Sequence, residues 1–320
     1  MRQRLVLLLS LALLTTLAWA LLPRSPGPVA AAATSSTELV IDILDHLAMP
    51  LPTPGSSDWL ANYPEAGQSY AAWKRADPVM ATPERGTLVV QPMGSFEPAQ
   101  RQVLTLSAEW LGLFFGLPLR IEDDLPRDVI PDGARRKNPH SGLPQVHAPT
   151  LLYDLLLPRL PDDALALIGF TGEDLYPEPS WNFVFGMALL RQRTGVWSMH
   201  RFGDPGGGPL EFRTTLRRTM KLATHETGHN LTMQHCTAHA CNMNGSNNLP
   251  ETDRSPAWLC PQCLAKMLHA TGADPIDRFE SLLAFARRHQ LTEEVAYYSA
   301  ALQAQSDAEP EARRPLGPEL

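Results

Sequence analysis

The stretch Thr224-His225-Glu226-Thr227-Gly228-His229 contains the pattern His-Glu-x-x-His and decides how the rest of the chain is interpreted. As a helix, it places the two histidines one turn apart on one face, so both imidazoles can reach one metal ion at about 2.0–2.1 Å. Glu226 is rotated off that face and can reach a water at the metal. His235 follows six residues after His229 and completes a three-nitrogen set that leaves a fourth position open. The pattern predicts a catalytic zinc held by His225, His229 and His235, with Glu226 as the general base.

All the cysteines of the chain follow shortly after this motif, at Cys236, Cys241, Cys260 and Cys263. Their spacing resembles a tetrathiolate zinc site, which would be structural because four thiolates leave no open position. Such a site would hold the third histidine in place. Two disulfides are the alternative in an exported protein, with three pairings to choose from. A nucleic-acid-binding zinc ribbon is a poorer fit, because no basic cluster surrounds the cysteines.

The segments upstream of the motif alternate between strand and helix patterns. A buried helical face is predicted up to Ala223, and the glycine-rich run 203–208 separates it from the preceding strands. We expect a loop over 123–147, strands at 87–90, 119–121, 164–170, 183–190 and 195–202, and helices from Ser95 to Phe114 and over 151–157. This order indicates an α/β or α+β catalytic domain.

The two ends of the chain differ from its centre. Arg2 and Arg4 precede an apolar run, 5–22, which is typical of an export signal but long enough to serve as a membrane anchor. We therefore predict a signal peptide or anchor over 1–33 in an exported protein, periplasmic or secreted. An irregular N-terminal extension over 34–85 follows, then the catalytic domain over 86–290. Residues 291–320 are predicted to be a helix remnant and a disordered tail from about Ser306.

Charge restricts the class of partner. The formal net charge is −7, and the 27 lysines and arginines are dispersed along the chain. This distribution argues against a surface that neutralises nucleic-acid phosphates. We expect a peptide or protein substrate, with attachment to a membrane only through the N-terminal apolar segment.

The metal motif resembles that of the archaemetzincins. The similarity covers His225 to Met243 and the second cysteine pair, and it extends upstream into 169–177 and 181–186, so that it spans about residues 85–270. The resemblance implies an α+β, α/β-like metzincin catalytic domain with a mixed twisted sheet, an active-site helix and a four-cysteine zinc subsite. It also implies two zinc ions, one catalytic and one structural, and makes Met243 the methionine of the turn beneath the metal. The strand 196–199 is our candidate for the cleft edge that binds extended peptide; a buried strand is the alternative.

Thr232 departs from the metzincin pattern, which has glycine three residues after the second histidine. A β-branched residue at positive φ is strained by roughly 1–3 kcal/mol. Either the backbone turns differently, with the left-handed residue shifted to Asn230, or the cysteine site imposes the strained conformation.

Together these features predict a zinc metallopeptidase that hydrolyses peptide bonds with a water activated by the metal and Glu226. The alternative is a catalytically weak, zinc-stabilised peptide-binding protein with a metzincin-like fold, and Thr232 is its main support.

Overall fold

The computed structural model describes residues 40–312. The signal peptide or anchor predicted over 1–33 lies outside these residues, so it and the export that it implies stay predictions. Within the described part of the chain, every helix is too short or too polar to cross a bilayer.

A mixed five-stranded sheet lies at the centre of the fold. The strands of this sheet and of a second, smaller one are, in chain order, β1 (Thr87–Met93), β2 (Leu119–Ile121), β3 (Arg135–Lys137), β4 (Pro144–His147), β5 (Ala164–Thr171), β6 (Asp174–Tyr176), β7 (Gly186–Leu189) and β8 (Thr194–Ser198). The central sheet has the order β2-β1-β5-β8-β7, in which only β7 runs antiparallel to its neighbour. A smaller sheet has the order β3-β4-β6. The prediction of a mixed sheet is confirmed.

Helices of the described chain include α1 (Trp59–Asn62), α2 (Tyr70–Arg75), α3 (Pro98–Phe115), α4 (Pro209–Asn230), α5 (Leu249–Arg254), α6 (Pro261–Thr271), α7 (Pro275–Arg288) and α8 (Thr292–Ala312). Of these, α3 and α4 pack directly on the central sheet. Successive strand residues point to opposite faces. Leu88 and Val90 thus join the core beneath the helices, whereas Val89 joins a smaller core formed with the helical turns of 148–159. Both faces of β1 are therefore buried.

The loop predicted over 123–147 is partly wrong. This segment contains β3 and β4, and β4 pairs in parallel with β6, which lies far along the chain. Strands of three and four residues are too short to show a reliable alternation of polar and apolar side chains. The helix predicted over 151–157 is present as a π-helix, Leu151–Leu156.

The segments on either side of the predicted domain pack onto its core. Leu44 and Trp73 from the N-terminal extension are fully buried, and the Trp73 indole Nε1–H donates to the Leu231 carbonyl at 2.9 Å. At the other end, Tyr298 of α8 is also fully buried. The helix continues to Ala312, beyond Ser306, where the sequence led us to expect a disordered tail. The described parts of these segments, 40–85 and 291–312, therefore belong to the folded unit.

The predicted cleft-edge strand is wrong. Residues 196–198 belong to β8, which is hydrogen-bonded on one side to β5 and on the other to β7. The central sheet ends in β2 on one side and in β7 on the other. The alternative for 196–199, a buried strand, is the one observed.

Candidate metal centre

Helix α4 carries the first part of the site. It begins after Gly208, where φ is 140°, and continues for 22 residues to Asn230. His225 and His229 stand on consecutive turns, as predicted, and their ring centroids are 4.7 Å apart. The chain after the helix returns His235 to within 5.2 Å and 5.0 Å of those rings. Ligand atoms of the three histidines all lie within 4.8 Å of one another.

Hydrogen bonds orient each ring. The Nδ1 atoms of His225 and His229 lie 2.8 Å and 2.7 Å from the carbonyl oxygens of Asn242 and Met233. Carbonyl oxygens only accept, so each Nδ1 carries the proton and each Nε2 is left with a free lone pair. The two Nε2 atoms are 3.1 Å apart. This convergence of unprotonated nitrogens fits a zinc ion.

Burial also favours the form of histidine that binds metal. Desolvation lowers the pKa of His225 well below its usual value and lowers that of His229 to about 4. Neighbouring histidines add to both shifts, because like charges would repel. Both imidazoles are therefore neutral at physiological pH.

The turn that ends α4 decides between the two alternatives for Thr232, because this residue adopts the strained conformation. Its φ is 66°, in the left-handed region. The N-terminal extension contacts this turn: the Val79 N–H donates to the Thr232 Oγ1 at 3.2 Å, and Gln68 Nε2 donates to the Thr232 carbonyl at 3.3 Å. The turn is therefore not shifted to Asn230, and the N-terminal extension hydrogen-bonds to the strained residue itself.

Met243 packs directly beneath the helix. It is fully buried, and a Cβ added to Gly228 would lie 2.5 Å from its sulfur. Gly228 is therefore the position on α4 that lets the methionine approach between the two histidine turns. Met243 also accepts a hydrogen bond from the Cys236 N–H at 2.7 Å, which joins the turn to the segment carrying His235.

Glu226 and the three histidines line the same cleft, which has a volume of about 800 Å³. Glu226 is 7% exposed, and burial raises its pKa to about 8. Gly186 of the edge strand β7 gives this side chain room, because a Cβ there would lie 2.9 Å from the Glu226 Oε1. The predicted base therefore packs directly against the edge strand where that strand lines the cleft.

The four cysteines form a second cluster. All are buried free thiols with sulfur atoms within 4.8 Å of one another, and the Cys236 and Cys260 sulfurs are 3.8 Å apart. A disulfide requires about 2.05 Å. The Cys241 sulfur accepts hydrogen bonds from the N–H groups of Cys260 and Met243 at 3.3 Å and 3.4 Å. This arrangement fits a tetrathiolate metal site better than two disulfides.

Comparisons with known proteins agree with this geometry. A family model described as Peptidase family M54 matches residues 160–269. Archaemetzincin-2 of Homo sapiens is 32% identical over 267 residues, which cover 73% of each protein. The chain belongs to the archaemetzincins. Archaemetzincin-2 of Mus musculus is 31% identical over 274 residues, 74% of each protein. Membership of the archaemetzincins confirms the prediction of a zinc metallopeptidase, a hydrolase.

A solved archaemetzincin structure from Methanopyrus kandleri is 26% identical, with a TM-score of 0.47 over 59% of this chain and 97% of that one. The archaemetzincin of Thermococcus kodakarensis is 40% identical over 106 residues, which cover 33% of this chain and 56% of that protein.

Sequence reasoning missed the part of the N-terminal extension that reaches the metal centre of this archaemetzincin. Glu65 contacts His235, and the Trp59 ring lies with its centroid 5.3 Å from that histidine. Tyr63 stacks on Trp181, with ring centroids 6.0 Å apart, and both residues line the cleft. The tryptophan and tyrosine in an otherwise polar, proline-rich segment were the signal that could have marked it as packed.

Proposed function

We propose that the protein hydrolyses peptide bonds at a zinc ion held by His225, His229 and His235, with Glu226 as the general base. The observation that carries this proposal is the orientation of the three rings. Each Nδ1 faces an oxygen acceptor, so each Nε2 is available on the side where the rings converge. Three ligands leave a position open for water or substrate.

The chemistry requires a proton acceptor beside the reacting water. Zinc, when bound, supplies Lewis acidity that lowers the pKa of water and polarises the scissile carbonyl. The Glu226 carboxylate accepts the proton from the attacking water and then donates it to the leaving amine. Burial raises the pKa of Glu226 and so favours the protonated form that donates to the leaving amine, whereas the positive charge of a bound zinc would favour the carboxylate that accepts the first proton.

The edge strand β7 provides a binding surface for an extended peptide. The Ser198 N–H donates to the Phe185 carbonyl at 2.9 Å, so in the antiparallel alternation the backbone groups of Gly186 and Ala188 point away from β8. Both residues line the cleft. A substrate strand can pair with these groups, and backbone pairing gives affinity for a peptide with little demand on its sequence.

We also propose a second, structural zinc at the four cysteines, which gives two ions per chain. Its support is the convergence of four buried sulfurs directly after His235. Metal analysis tests the count: we expect two zinc ions in the wild type and about one in Cys260→Ser. A single zinc in the wild type, together with an absence of free thiols, would favour disulfides instead.

The direct test of catalysis compares Glu226→Gln with wild type on a diverse peptide library, with and without a chelator. We expect the variant to bind zinc but to lose hydrolysis, because glutamine cannot accept the proton. Glu211→Gln is the matched control, since Glu211 lies on the same helix and is exposed. Unchanged turnover in Glu226→Gln would refute the role of this residue.

The alternative of a catalytically weak binding protein loses its main support. Thr232 takes up the left-handed conformation that the turn needs, and the three histidines still converge.

A further inference from the structure

The third histidine differs from the other two in what orients it. His225 and His229 face backbone carbonyls of the segment that carries the metal motif. His235 instead faces the Glu65 carboxylate, with its Nδ1 2.8 Å from Oε2 and 3.0 Å from Oε1. Glu65 is 170 residues away in sequence and belongs to the N-terminal extension.

The position of Glu65 is fixed by a tryptophan beside it. The Trp59 indole Nε1–H donates to the Glu65 Oε1 at 3.0 Å, and the Trp59 ring meets His235 edge-on. The Trp59 backbone N–H donates to both carboxylate oxygens of Glu251, at 2.9 Å and 3.0 Å. Gly245 leaves the space that the indole occupies, because a Cβ there would lie 2.4 Å from Trp59 Cδ1. The Glu65 carboxylate is therefore held by the Trp59 side chain, and Trp59 is in turn fixed by Glu251 and Gly245, which follow the metal motif in the sequence.

We propose that Glu65 is a positioning residue for the third metal ligand, so that the N-terminal extension is part of the metal centre. The inference rests on the proposed function, in which His235 binds zinc. A carboxylate at Nδ1 keeps the proton on that nitrogen, fixes the ring orientation and makes Nε2 a more basic ligand. At His235, which lies on the irregular segment after α4, the Glu65 carboxylate has the role that backbone carbonyl oxygens have at the other two histidines.

The test measures zinc affinity of the full chain by competition with a chromophoric chelator. We expect Glu65→Ala to weaken binding at the histidine site by about 10–100-fold, the loss that removal of such an outer partner causes. Glu65→Gln should lose less, because its amide oxygen still accepts from Nδ1–H. Glu178→Gln is the control: Glu178 is exposed, lines the same cleft and loses the same charge. It should bind zinc like the wild type.

Cobalt substitution separates positioning from a general loosening of the fold. The d–d bands of cobalt in the histidine site should shift in both Glu65 variants, while the thiolate-to-cobalt charge-transfer bands of the cysteine site stay unchanged. Loss of both sets of bands in Glu65→Gln would indicate a merely structural role and overturn the proposal. If circular dichroism shows that Glu65→Ala is misfolded, Glu65→Gln, which preserves the shape of the side chain, decides the question.

A His235→Ala variant distinguishes failure of this inference from failure of the proposed function. If His235→Ala keeps wild-type zinc affinity, the assignment of the ligands is wrong. If His235→Ala loses zinc at the histidine site but both Glu65 variants bind zinc and cobalt as the wild type does, the positioning role of Glu65 alone is refuted.

Discussion

Replacing Gly228 with alanine tests whether close packing of Met243 against α4 is a requirement of the metal-binding turn. The added methyl carbon would lie 2.5 Å from the Met243 sulfur and 3.1 Å from its terminal carbon, whereas ordinary contacts are about 3.5–4.0 Å. The methionine must therefore move by about 1 Å in a fully buried position. Overpacking of this kind costs about 1–3 kcal/mol, and the better helix propensity of alanine offsets about 1 kcal/mol of it.

A double-mutant cycle removes that offset, because helix propensity contributes equally in both backgrounds. In Met243→Ala, where the obstructing side chain is absent, Gly228→Ala should be neutral or stabilising by about 1 kcal/mol. The coupling between the two sites is then about 1–3 kcal/mol. Denaturant unfolding at a fixed concentration of free zinc measures it, since bound metal changes the apparent stability. The same effect of Gly228→Ala in both backgrounds would show that the contact carries no energy.

Three further predictions concern the cleft, the turn and the base. Ala188→Pro should raise KM in peptide hydrolysis without loss of stability, because it removes an N–H that points away from β8 and is free to pair with substrate. Met187→Pro breaks the pairing with β8 and should destabilise the fold. Thr232→Gly should stay within about 1 kcal/mol of wild type in unfolding experiments, because relief of strain offsets the lost hydrogen bond. Thr232→Val leaves the partly buried Val79 N–H without its acceptor and brings no such relief, so it should cost about 1–3 kcal/mol. In zinc-depleted protein, the folded-state pKa of Glu226 is raised from 4.5 to about 8, so wild-type stability is lost as pH rises between these values. The stability advantage of Glu226→Gln should accordingly grow from pH 4.5 to 8 and then level off, and a constant difference across that range would contradict the raised pKa.

The metal motif could be predicted from the sequence because its parts are close together along the chain. His225 and His229 are placed by helical periodicity alone, and His235 follows within a few residues. For Thr232 the sequence left two possibilities open, a left-handed conformation at this residue or a turn shifted to Asn230, because glycine is absent where the helix must end.

The order of the strands and the contribution of the N-terminal extension could not be predicted in the same way. Whether β7 or β8 forms the sheet edge depends on pairing with β5, and no local pattern records it. Glu65 reaches His235 only through tertiary packing of a segment without hydrophobic periodicity.

An unpaired strand edge is ordinarily a hazard, because it offers a template on which other molecules of the same protein can aggregate. Here the edge is four residues long and is recessed within the cleft, whose walls include Tyr63 and Trp181. A strand this short offers few backbone groups to another molecule of the same protein, which is one way in which natural sheets limit aggregation. The brevity of β7 can therefore limit aggregation while its outward backbone groups stay open to a peptide.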